Sequence, residues 1–262
     1  MCIIQADGRA CAAIFAALAF SGSLNASEWR YFTPILSSQT RSLNNGEANE
    51  LLASFCRTPL HFVNGVGPTC STRELSKAFS DVTDQTFHPK GVIFGHFLGA
   101  DTDDAAVSGW SAETHPYLWG ATLLLSKRGG VWVPIWYRSA IIIDSCERVA
   151  LPDRREILLC EDEDSGMGHA LHYLYTVDFE HPADIRQTLL ATANSFSDDC
   201  VQQTQVLRGI RWIEDPREFS VEVDTTHWSR LTSEPRCAND RTTRPAALRL
   251  RFQVTSAGVR KI

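Results

Sequence analysis

The chain has 262 residues, 44% of them hydrophobic, with 25 Lys plus Arg against 31 Asp plus Glu and a formal net charge of −6 at pH 7. That length holds one large β domain or two smaller ones and buries a core without outside help, while the mild acidity offers no basic field to release counterions from a phosphate backbone, which argues against nucleic-acid partners. The long apolar run, Ala10 to Phe20, spans 11 residues, too short to cross a hydrocarbon core, so no membrane span is expected.

In chain order, that run follows Arg9 and precedes the small residues Ser21, Gly22, Ser23 and Ala26, the layout of a secretory signal peptide over residues 1–26. The expected location is therefore secreted or periplasmic. Cys11 lies at the head of the apolar run rather than after it, which does not suit a lipid anchor. Residues 27–85 read as a linker and short helical segment: Ser37 to Asn49 is polar, and Leu51, Leu52 and Phe55 recur at helical spacing within Glu47 to Phe55. A second helix is predicted to start at Ser71, whose hydroxyl can cap free amides while Glu74 reaches back, with Leu75, Ala78 and Phe79 as its apolar side.

From residue 86 to 262 the pattern is β-rich. In Gly91 to Gly109, the apolar runs Val92 to Phe97 and Ala105 to Val107 flank a loop of Gly99, Asp101, Thr102, Asp103 and Asp104, which predicts a β-hairpin. Leu123 to Leu125 and Val131 to Tyr137 are apolar on both faces and joined by Lys127, Arg128, Gly129 and Gly130, an interior hairpin expected to hold central strands. A weaker echo of the first hairpin, Val149 to Cys160, has Ala140 to Ile143 and Ile157 to Leu159 flanking a proline-led turn at Pro152, Asp153 and Arg154. From Asp104 to Glu156 is 52 residues, a repeat-like period. Further strands are expected over His169 to Val177, Val206 to Ile213, Phe219 to Asp224 and Ala247 to Thr255, the last alternating Leu248, Leu250, Phe252 and Val254 with polar residues. The fold class is mainly β, with propeller-like or sandwich-like antiparallel sheets and a short helical N-terminal segment.

Removal of the signal takes Cys2 and Cys11 and leaves six cysteines, Cys56, Cys70, Cys146, Cys160, Cys200 and Cys237. Equal spacings of 14 favour Cys56 with Cys70 and Cys146 with Cys160, leaving Cys200 with Cys237, although six cysteines admit many pairings. The midpoint of the middle pair is the turn residue Asp153, which suits a cross-strand bridge. Zinc is disfavoured because no two of the six stand at metal-ligand spacing.

Several polar groups invite chemistry. Asp101, Asp103 and Asp104 sit in a compact turn that can gather carboxylates around calcium, the one cofactor with any support. The run Glu161, Asp162, Glu163 and Asp164 reads as a solvated hairpin tip, because consecutive side chains on an extended chain diverge. His169 and His172 lie three apart on a strand, hence on opposite faces, and make no metal pair. Asp104, Glu113 and His115 are the only residues singled out for a hydrolytic site, and no nucleophile elbow, phosphate loop or dinucleotide fingerprint is present. Of seven tryptophans, Trp132 and Trp136 share one face of their strand and Trp212 follows Ile210, so these read as core, whereas Trp110, Trp119 and Trp228 are candidates for exposure.

The stretch around Gly95, Phe97, Gly99 and Asp104 resembles the FG-GAP repeat of integrin-type β-propellers, in which these residues match the first glycine, the phenylalanine, the second glycine and the closing aspartate. The likeness covers about residues 90–180. It implies the hairpin fold, while His96, Leu98 and Ala100 stand where the family places its calcium ligands. A full propeller exceeds this chain, so the resemblance implies a reduced array whose edges are covered by Glu47 to Phe79. The function expected is an exported, non-catalytic binding domain for a protein or carbohydrate partner, with an exported hydrolase near Asp104 and His115 as the alternative.

Overall fold

The structure, a computed structural model, describes residues 35–53, 56, 70–71, 86–111, 120–139, 141–166, 169–181, 185–195, 201–213, 217–229 and 246–262. These fall in one unit, Pro34–Ile262. The signal segment, Glu113, His115, Trp29, Trp119, Cys200 and Cys237 lie outside the described residues.

The first sheet contains Arg41–Ser42 (β1), Cys70–Ser71 (β2), Thr86–Gly95 (β3), Asp104–Ser111 (β4), Gly120–Arg128 (β5) and Val131–Ser139 (β6), in the order β1-β3-β4-β5-β6 with β2 also on β3. The second is a meander of Cys146–Ala150 (β7), Glu156–Gly166 (β8), His169–Val177 (β9), Arg186–Ser195 (β10), Val201–Trp212 (β11), Glu218–Ser229 (β12), Ala246–Thr255 (β13) and Gly258–Lys261 (β14), each strand antiparallel to its successor. The mainly β, sandwich-like expectation holds, and among the described residues no ladder joins β14 back to β7 to close a barrel.

Three layers of apolar side chains explain the sequence patterns. One helix, α1 (Asn45–Leu52), begins at Asn44, whose side chain accepts from Glu47 N while Glu47 reaches back to the Asn44 amide, a complete capping box. It drops Ala48, Leu51 and Leu52 onto one face of the first sheet, against Phe87, Val107, Leu123 and Leu125. The opposite face, with Ile93, Ala106, Leu124 and Trp136, packs on Leu158, Cys160, Tyr175 and Val177 of the second sheet. Both faces of β5 are therefore covered, which is why Leu123, Leu124 and Leu125 are consecutive apolar residues. Burial on two faces is not centrality, however: β6, expected among the central strands, is the last strand in its sheet's hydrogen-bonded order.

The outer face of the second sheet buries Ile157, Leu159 and Leu174 together with Phe219, Val221, Leu250 and Phe252. Strands from both ends thus share one core, as the twist of a long sheet permits, and β14 comes into contact with β10. The alternation of β13 is realised in Leu250, Phe252 and Val254, whereas Leu248 is exposed.

Turn chemistry follows the residues. Gly129 and Gly130 both have positive φ, 58° and 83°, giving a two-residue hairpin whose twist suits β5 and β6. In the β7–β8 turn, Pro152 leads, Asp153 Oδ1 accepts from Arg155 N at 3.2 Å, and Arg154 takes the left-handed conformation at φ 70°. The first strand of that hairpin is Cys146–Ala150; Ile141 to Ile143, expected as its flank, forms no strand. Disulfides join Cys56 to Cys70 and Cys146 to Cys160, with Cα separations of 5.0 and 4.1 Å, and the second pair are direct partners across β7 and β8. Both bridges belong to an oxidising environment.

Ser71, read as a helix cap, ends β2 opposite Thr86 of β3, an extended conformation that an N-cap also takes, and the body of that helix falls outside the described residues. The β3 edge carries β1 and β2, the latter inside the Glu47 to Phe79 segment expected to cover an edge, while α1 covers a face. Trp132 and Trp136 point to opposite faces, because the ladder slips between Leu124 and Leu125 opposite Pro134 and inverts the alternation. Trp212 is exposed at 39%, alongside the expected Trp110 at 49%. The acidic run Glu161 to Asp164 continues β8 instead of forming a tip. Among the described residues no helix is long and apolar enough to cross a membrane.

Candidate functional site

The loop His96 to Asp103 leaves β3 and returns into β4, and its shape is set by Asp104. That carboxylate is 1% exposed, and its Oδ2 accepts from Leu98 N at 2.9 Å and from the Thr102 hydroxyl at 2.6 Å. Thr102 N donates to Gly99 O at 3.1 Å. Asp104 is thus a loop-closing residue, whereas Asp101 and Asp103 point to solvent. Among the described residues no three Asp, Glu, His or Cys side chains converge on a point that could hold a metal ion.

The neighbouring strands complete a cleft around this loop. Lys127 N donates to Asp103 O at 2.8 Å, which ties the β5–β6 hairpin to the loop. From the second sheet, Glu156 N donates to His96 O at 2.8 Å and its Oε2 accepts from His96 N at 2.8 Å. Gly95 lets these groups approach closely, since a Cβ there would lie 2.7 Å from Glu156 Oε2 and 2.8 Å from the Phe97 ring and would push those side chains aside. The result is a cavity of about 290 Å³, lined by Phe94, His96, Asp103, Lys127 and Trp132 of the first sheet and its loop and by Arg148 of the second sheet, among others. It lies at the small end of ligand sites, which run from ~300 to ~1,000 Å³.

Its electrostatics are specific. His96 Nδ1 lies 2.5 Å from Thr102 O; a carbonyl only accepts, so Nδ1 donates to it. Lys127 Nζ stands 5.3 Å from the centre of the Trp132 ring and 3.7 Å from Glu50 Oε1. Arg148 donates through Nε to Gln39 at 2.9 Å, and its Nη1 is 3.8 Å from Glu156 Oε1.

Two other polar clusters are built into the fold. Arg155, its side chain 3% exposed, makes two bonds to Asp178 at 2.5 and 3.2 Å and reaches Glu180 at 2.9 Å, joining the β7–β8 turn to the end of β9. Burial works to raise the Asp178 carboxyl, but the Arg155 guanidinium prevails and holds it below its ordinary value. On the outer core, Glu161 accepts from Leu36 N at 2.9 Å and lies 3.5 Å from His172 Nε2. Nearby Glu147 accepts from Trp212 Nε1 at 3.2 Å; burial pushes its carboxyl up, and the Glu161 charge adds to this against the tryptophan hydrogen bond.

Of the residues singled out in sequence, Asp103 and Asp104 reach the cleft. His96, Lys127, Trp132 and Arg148 were not read as site residues: His96 stood as a departure from the family's calcium ligands and Trp132 as core. Lys127 beside the Gly-Gly turn was visible as a turn residue only, and Arg148 comes from a strand 52 residues beyond His96. No protein-family model, curated protein or solved structure matches the chain. What fold and site define is a class: a disulfide-bonded antiparallel β domain with a small polar cleft lined from both sheets.

Proposed function

We propose that this chain is an exported, non-catalytic binding domain whose ligand enters the cleft between the β3–β4 loop, the β5–β6 hairpin and β7. The observation that carries the reading is the preorganised rim: Asp104 and Thr102 fix the loop from inside, and Glu156 fixes it from the other sheet, so recognition groups are held before any ligand arrives. The Asp104 carboxylate is committed to that closure, which leaves it a positioning residue for the loop.

The test is amide correlation spectroscopy of the full-length, disulfide-bonded protein against neutral monosaccharides, acidic monosaccharides and short peptides. Resonances of Gly95, His96, Asp103 and Lys127 are expected to shift together with at least one class, with the probe recovered unchanged. If no class moves them, the cleft is not a binding site. If a probe is hydrolysed and the activity disappears in His96→Ala, the domain is a hydrolase instead.

A further inference from the structure

We infer that the solvent face of β11–β14 is a docking surface for an acidic polysaccharide, a site separate from the cleft. Charge is spread unevenly along the chain. Residues 201–262 carry 11 Lys plus Arg against 7 Asp plus Glu, whereas the rest carries 14 against 24, and a sign asymmetry of this kind points to a charged partner for the basic part. The fold then sorts the excess onto one side. Val221, Val223, Leu250 and Phe252 turn into the outer core, so their alternating neighbours Glu222, Arg249 and Arg251 turn the other way. Arg208, Arg211, Arg249, Arg251 and Arg260 are all exposed. The registers set Arg211 and Arg251 on either side of Ser220, with Arg260 opposite Gln253.

Only β12 brings carboxylates to this face, Glu218, Glu222 and Asp224; β10, β11, β13 and β14 contain none. Asp224 pairs with Arg208 and Glu218 with Arg251, both at 2.6 Å, and Glu222 with Arg249. The excess is held by Arg211, which forms no ion pair among the described residues, and by Arg260, whose bonds of 3.2 and 2.7 Å go to the neutral Gln253 oxygen. The paired arginines also keep donors in hand: each gives its carboxylate one N–H of the guanidinium fork, in exposed pairs that hold weakly. With strands ~4.8 Å apart and ~3.4 Å per residue along each, the five span roughly 14 by 10 Å, too wide for one small anion and suited to a polymer that repeats them. The other side chains select among polymers. Trp212, Phe219 and Phe252 pack on one another on the core side, so among the described residues this face offers no ring to a nucleobase. The exposed Leu248 stands opposite Val223, on the core side as well, which leaves the arginine face without a large exposed apolar group to enter a lipid surface. Sulfate and uronate groups need neither, only forked cationic donors.

The closing experiment measures binding of the full-length, disulfide-bonded protein to heparin, polygalacturonate, neutral dextran, single- and double-stranded DNA, and phosphatidylserine vesicles. Heparin, polygalacturonate or both should bind at least tenfold more tightly than every other probe, and raising salt from about 50 to about 250 mM should weaken them about tenfold or more. Preference between the two then separates a sulfated chain from a uronate one. Arg211→Gln together with Arg260→Gln should weaken binding about tenfold, and each alone about threefold, with unchanged far-ultraviolet dichroism; the matching lysine pair should retain it. Arg128→Gln with Arg154→Gln removes the same charge away from this face and should change binding less than about twofold. The inference is overturned if neither acidic polysaccharide binds, or if DNA, vesicles or dextran bind as tightly. Equal loss in the two Gln pairs would reduce the effect to net charge, and loss in neither would place the polymer elsewhere; each result defeats the assignment to this face. None of these results bears on the cleft, whose test reads its own resonances.

Discussion

Replacing Asp178 with asparagine removes the negative charge that faces the most buried cation of the described fold. Arg155 is 3% exposed at its side chain and Asp178 13%, and their two bonds of 2.5 and 3.2 Å make a bidentate pair. At an effective dielectric constant of ~20, unit charges ~4 Å apart attract by about 4 kcal/mol, and breaking a buried pair from one side costs about 3–5 kcal/mol because the remaining charge is stranded. Glu180 still reaches Arg155 Nε at 2.9 Å and is half exposed, so the expected loss lies at the lower end, about 3 kcal/mol. For a domain of this size that lowers the melting temperature by ~6–12 °C. Glu180→Gln, at the exposed side of the same arginine, should cost about 0–1 kcal/mol.

Urea denaturation at pH 7 in oxidising buffer measures both. The pH dependence adds a second check. Because the folded Asp178 carboxyl is held below its unfolded value, its contribution is complete above the ordinary carboxylate range and fades as pH falls through the folded value. The gap between native protein and Asp178→Asn should therefore close in acid. Equal losses for Asp178→Asn and Glu180→Gln, or a gap that persists at low pH, would refute the reasoning.

Three further outcomes follow from particular contacts. Glu147 has its carboxyl raised by burial, so the folded state binds the extra proton and stability falls as pH rises from the ordinary carboxylate range through the folded value; Glu147→Gln should remove that fall and add on the order of 0.5 kcal/mol at neutral pH, and a variant less stable than the parent at pH 7 contradicts this. Gly109→Ala should cost about 3 kcal/mol or more, since the new Cβ would lie 2.3 Å from His88 O and 2.7 Å from Phe87 Cε2, whereas Gly129→Ala, at φ +58° with open space around it, should cost only ~1 kcal/mol; similar melting temperatures for the two would tell against the close approach of β3 and β4. Replacing Cys146 and Cys160 together with serine should lower stability by about 2–4 kcal/mol, and unchanged denaturation would mean that the bridge adds nothing.

Local patterns with a short physical reach were legible in the sequence. The Gly-Gly hairpin, the proline-led turn at Pro152, strand β9 and the two disulfides at spacing 14 all depend on residues close together in the chain, where dihedral preference or loop closure decides. The doubly apolar β5 was legible too, since burial on both faces leaves no polar position to alternate. The side of the sheet taken by Trp132 was not, because a one-residue slip opposite Pro134 inverts every side chain beyond it.

The residues alone determined the class of the molecule, its strand-rich composition and the sulfur pairs that staple it. Tertiary structure alone decided which polar groups share a cavity. His96, Lys127 and Arg148 come from a loop, a strand end and a different sheet, and only the packing of one sheet on the other brings them to one cleft. It also decided that Asp104, the most suggestive carboxylate of the loop, is turned inward to hold its own backbone, because the two donors that bond to it, Leu98 N and the Thr102 hydroxyl, are inside the turn it closes.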